Sequence, residues 1–126
     1  MVTRTRPREL LILAGRGAYP LELARSARTQ GVGRLAAIGF RGETNRELAK
    51  RVDEMRWVRV GELRRMLDAI GELGFHYGVM VGQIAPRNLF RARPDRELLQ
   101  LIGGLQERNA RTIFGALIER IESETE

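Results

Sequence analysis

ELLILAGRGAYPLELAR, residues 9–25, decides the fold of this chain. A short apolar run stops at Gly15-Arg16-Gly17, and an amphipathic helical pattern begins at once, with Leu21, Ala24 and Ala27 on one side and Gly31 as its stop. That order is a strand over 10–14, a tight glycine turn, and a helix over 19–29. Glycines let the backbone come close to a ligand, and the N–H groups at a helix start, aided by the helix dipole, suit a phosphate or a carboxylate. Pro20 stands where a dinucleotide fingerprint has its third glycine, and proline is favoured in a first helical turn. Gly15, Arg16, Gly17 and Ala18 are therefore the first candidate binding residues.

Outward from this unit, strands and helices alternate. Residues 35–40 are a second apolar run, followed by the turn Gly42-Glu43-Thr44 and a short helix over 45–51. Residues 55–60 mix polar and apolar side chains on both faces, which fits a third strand near a sheet edge. Over 62–74, Leu63, Met66, Leu67, Ile70 and Leu73 follow helical spacing, and Gly74 supplies a stop. Residues 77–81 are short and apolar and read as a buried parallel strand ending at Gly82. A polar loop over 83–95 holds two prolines, and two helices follow, over 95–105 and 111–123.

Strands alternating with helices imply parallel strands joined by crossovers, an α/β fold. The expected architecture is one Rossmann-like three-layer sandwich with a four-stranded parallel sheet in the order 3-2-1-4. Ligands in such sheets sit beyond the carboxyl ends of the strands, where chain order reverses. The glycine loops after strands 1 and 4 would then be neighbours across one crevice. Gln83 and Asn88, in the second of these loops, join the candidates as polar contacts.

At 126 residues the chain is long enough for a single domain with its own core, and without cysteine it has no disulfide, thiolate metal site or cysteine nucleophile. No apolar run approaches a membrane span and residues 1–8 lack the apolar core of a signal peptide, so the chain reads as cytoplasmic. The formal charge is +6, with Lys50 the only lysine. Arginine's rigid fork suits phosphates, but these arginines are scattered through every segment and aromatic residues are few. Genomic base composition accounts for most of them, and nucleic acid is not favoured as a partner.

Catalytic residues are harder to find. A nicotinamide site places an acid at the end of the second strand, and Phe40-Arg41-Gly42 stands there instead. His76 lies at the N-terminal end of its strand, the wrong end for chemistry in this fold, and Trp57 reads as packing. Asp95 reads as a helix cap, and Asp68 and Glu72 as a solvated face. No nucleophile and base stand together. The residues describe a phosphate cradle without a catalyst.

AGRGAYPLELAR, RWVRVGELRRMLDAI, GQIAPRNLFRARPD and ERNARTIFGALIERIE, in that order, resemble the N-terminal domain of the LpxI family, the UDP-2,3-diacylglucosamine pyrophosphatases of lipid A synthesis. The resemblance runs from about Leu10 onward. It implies hydrolysis of a UDP-linked diacylated glucosamine, the UDP-sugar lipid substrate, to UMP and lipid X. It also implies Mg2+ in the full-length enzyme, with none expected on this chain alone, and cytoplasmic work that extends to the inner membrane surface. The family's second, C-terminal domain, which the resemblance credits with the key catalytic acid, would begin beyond Glu126. This chain is thus expected to be one wall of an interdomain site and inactive alone; a homodimer is compatible with the family. Where many members carry Gly-Asp-Asp, this sequence has Arg108-Asn109-Ala110, two carboxylates fewer, and Asn109 is the last candidate contact. The alternative is a stand-alone nucleotide-binding or regulatory module.

Overall fold

A computed structural model describes residues 8–83 and 93–125. Its strands are β1 (Glu9–Ala14), β2 (Arg34–Phe40), β3 (Glu54–Val58) and β4 (Gly78–Val81), and its α-helices are α1 (Tyr19–Thr29), α2 (Leu63–Leu73), α3 (Arg96–Gly103) and α4 (Ala110–Thr125), with a 3-10 helix over Arg46–Lys50. All strand pairs are parallel and the order is β3-β2-β1-β4, as the sequence predicts.

The central strands bury both faces, which is why they read as continuous apolar runs. Leu10, Ile12 and Ala14 of β1 and Leu35 and Ala37 of β2 pack with Ala24 and Ala27 of α1 and Leu48 of the 3-10 helix. The alternate residues Leu11, Leu13, Ala36 and Ile38 face α2, where Leu63, Met66, Leu67, Ile70 and Leu73 form one apolar stripe. Leu98 and Leu101 of α3 and Leu117 and Ile121 of α4 pack onto that same cluster. Gly74, in the left-handed conformation, closes α2 through its N–H to Ile70 O.

Two expectations need correction. The third strand ends at Val58 rather than 60, because Arg59 N–H turns to Glu62 Oε1 and starts the bend into α2. The fourth strand is not buried: Gly78 and Met80 are exposed and Val79 and Val81 half-buried. Its composition fits a core strand, but it lies at the end of the sheet order, and Val79 and Val81 join the α1-side cluster only in part. That leaves β4 as a thinly covered edge.

Charge ties the layers at their margins. The Arg64 guanidinium of α2 grips Glu124 of α4 with two bonds, at 3.1 and 2.8 Å, and Arg120 joins Glu97 of α3 to Glu124. The bond from Arg64 holds the Glu124 carboxyl below its ordinary range. At the other face Asp53 links three elements. Its Oδ1 lies 2.7 Å from Arg28 of α1, its Oδ2 accepts the Leu35 N–H at 2.9 Å, and its own N–H donates to Leu35 O at 2.8 Å.

The Arg28 bond first, and the Leu35 N–H second, hold the Asp53 carboxyl below the usual carboxylate range. A folded-state pKa below the unfolded one adds stability that is present above the unfolded value, about 3.9, and is lost as pH falls through the folded value. Asp53→Asn should therefore be less stable than the parent at pH 7, with the gap closing as pH drops below about 4. Urea denaturation across that range measures it, and a gap independent of pH would contradict the assignment.

Candidate functional site

Parallel register brings three loops to one rim. Ala14 pairs with Gly39 of β2 and with Val81 of β4, so the chains leaving these strands emerge side by side at their carboxyl ends. The first loop then stays with the loop after β4. Gly15 N–H donates to Val81 O at 2.8 Å, Arg16 N–H to Gln83 O, and Gln83 N–H to Arg16 O at 3.1 Å. The last two bonds form a local antiparallel bridge beyond the end of the parallel pair.

Only glycine permits that bridge. A Cβ on Gly15 would stand 2.7 Å from Gln83 O and 2.8 Å from Gln83 N. One on Gly82 would lie 2.8 Å from both Arg16 O and Gly15 C, and Gly82 is held at φ +96°. Backbone atoms stand on both sides, so neither can yield as the end of a side chain would. The glycines that suggested close approach to a ligand thus first serve close approach of two loops.

Gly17 differs. Its φ is +104° and nothing lies within 4 Å of where a Cβ would be, so its exposed face is open. α1 follows, with Ala18 at its N-cap, no side-chain cap and Pro20 in its first turn. Among the described residues, the N–H groups of Gly17, Ala18 and Tyr19 donate to no protein acceptor. Uncapped N–H groups on an open rim at the positive end of a helix are what an anion requires.

The third loop supplies what sequence reading missed. After β2, Thr44 Oγ1 accepts the Phe40 N–H at 2.7 Å and donates to Ala14 O, pinning the 41–44 turn against the end of β1. Glu43 is carried inward by this turn, and its side chain is 1 % exposed. Its Oε2 accepts from Arg16 Nε at 2.9 Å, while 55 % of the Arg16 side chain stays exposed. The available signal was an acid three residues past the second strand, close to where dinucleotide folds keep theirs. Glu43 is nevertheless buried on an arginine and not open to a ribose.

Of the remaining candidates, Gln83 is brought against Gly15 and Arg16 through its backbone, and its side chain is exposed at the rim. Asn88 lies outside the described residues. Asn109 caps α4: its Oδ1 accepts the Thr112 N–H and its own N–H donates to Thr112 Oγ1, both at 3.0 Å. An aspartate at this position would cap the helix equally well. His76 is exposed, its N–H donating to Glu9 Oε1, on the far rim. Among the described residues no three His, Cys, Asp or Glu side chains gather to hold a metal ion. Among the described residues the rim offers the N–H donors an anion would need, with no group of three metal-ligating side chains beside them.

The model of one protein family, the LpxI N-terminal domain, matches residues 9–125. No curated protein matches the chain.

Gly15→Ala should cost about 1–3 kcal/mol, because the added methyl group meets the Gln83 backbone and one of the two loops must move. Gly33→Ala, whose Cβ would meet nothing closer than Arg8 O at 3.7 Å, is the control and should stay within about 0.5 kcal/mol of the parent. Thermal denaturation compares them, and equal midpoints would contradict the close approach.

Proposed function

The chain belongs to the LpxI N-terminal domain family, that of a lipid A pathway enzyme, and from that premise we propose that it holds the nucleotide diphosphate of a UDP-2,3-diacylglucosamine pyrophosphatase. In this reading the substrate is a UDP-sugar lipid, and water cleaves its diphosphate to UMP and the diacylglucosamine 1-phosphate, lipid X. The observation that carries it is the open turn at Gly17, which leaves the Gly17, Ala18 and Tyr19 N–H groups facing the rim where the loops after β1 and β4 are bridged. Arg16 adds a charged fork beside them, Gln83 supplies a polar contact to the nucleotide, and Asn88, outside the described residues, is assigned the same role in this reading.

The catalytic acid in this reading belongs to the second domain of the family enzyme. The described residues gather no acidic cluster, so they do not by themselves make a seat for Mg2+. In this reading the cation belongs to the assembled enzyme, and this domain forms one wall of an interdomain site. No described helix is long and apolar enough to cross a membrane. The diacyl substrate would be met from the cytoplasm at the membrane surface.

With one wall, most of the ligand stays exposed and the cost of immobilising it is only partly offset, so affinity for the free nucleotide is low. Titration of the chain with UDP, followed by amide chemical shifts, should move residues 15–19 and 82–83 together, with no turnover of substrate. Gly17→Val should abolish these shifts and leave the fold intact, at a strain cost of about 1–3 kcal/mol. Shifts confined to other arginine-rich segments and erased by salt would contradict the reading.

A further inference from the structure

We propose that Glu43 is a positioning residue: through Arg16 Nε it holds the guanidinium so that the Nη1–Nη2 edge faces the phosphate groups of the nucleotide. The inference rests on the reading that the 15–18 loop takes a nucleotide diphosphate. A guanidinium presents two hydrogen-bonding edges, one containing Nε and one made by the two Nη groups. Here Glu43 takes Nε at 2.9 Å, and among the described residues Arg16 has no other side-chain partner. The Nη edge is left for a planar, bidentate grip on a phosphate.

Two features separate this role from simple loop fastening. Thr44 already ties the 41–44 turn to β1 through Ala14 O and the Phe40 N–H, and the backbone bridge to Gln83 already holds Arg16 in place. Against that background, burying a carboxylate whose side chain is 1 % exposed carries a desolvation cost, and replacing a buried ion pair by apolar side chains is often neutral or stabilising. What the ion pair adds is direction. Arginine is a long side chain whose freedom is otherwise lost at the moment of binding, and an orientation fixed beforehand reduces that loss.

The test is a UDP titration by chemical shift on the 126-residue parent, Glu43→Gln, Arg16→Ala and the double variant. Glu43→Gln should weaken UDP roughly tenfold, Arg16→Ala at least as much, and the double variant no more than Arg16→Ala alone. Uridine, which lacks phosphate, should bind all four alike. A parent that binds UDP together with a Glu43→Gln variant that binds it equally or more tightly overturns the positioning role and leaves the loop as the nucleotide site. The same Glu43 effect without Arg16 overturns it too, because Glu43 would then act by another route. A parent that fails to bind UDP removes the loop reading and this inference with it. If Glu43→Gln does not fold, the Arg16 Nε–Hε resonance of the parent decides: it should keep its bonded position as UDP is added, and its return to the position of free arginine would overturn the proposal.

Discussion

The approach of Gly15 to Gly82 and Gln83 is the constraint on which the rim depends. In a parallel sheet, neighbouring strands end together and their loops ordinarily part toward separate helices. Here the backbone of the β1 loop bonds to the backbone of the β4 loop for one more residue on each side, at separations no Cβ would allow. The chain can turn into α1 only after that bridge. Gly17 is consequently the residue that turns, and the uncapped start of α1 lies beside β4.

The rest of the molecule holds this rim steady. Both central strands are covered on both faces by apolar side chains, so β1 cannot shift its register without turning Leu11 and Leu13 away from the α2 side. Thr44 binds the end of β1 to the loop after β2. Several arginines that a basic sequence might suggest for an anion are occupied elsewhere, Arg28 on Asp53, Arg34 on Glu9 and Glu54, and Arg64 and Arg120 in the clamp across α2, α3 and α4. Arg16 is set apart by its place at the rim, with a buried carboxylate on one side and solvent on the other.

The elements that could be read from sequence were those whose signal is local. The apolar stripe of α2, the stops at Gly31 and Gly74 and the Asp95 cap, whose Oδ1 accepts the Leu98 N–H, depend on neighbours within a turn or two. Parallel order followed from alternation and from the apolar character of the first two strands. The edge position of β4 was not legible, because its exposure is set by how far the covering elements reach across the sheet, and Val79 and Val81 join the α1-side cluster only in part. The Arg16–Glu43 pair was hidden for a similar reason: its partners are 27 residues apart, and only the inward fold of the 41–44 turn makes them neighbours. The cradle glycines were legible as glycines, but their spacing could not separate Gly15, needed for contact between loops, from Gly17, needed for the open turn.

Amide hydrogen exchange tests the central claim most directly. If the two loops are bonded as described, the Arg16 and Gln83 amides exchange slowly, like those of β1, while Gly17, Ala18 and Tyr19 exchange at rates near those of exposed backbone. An Arg16 amide exchanging as fast as Gly17 would mean that the bridge does not hold in solution, and that the loops after β1 and β4 do not present one rim.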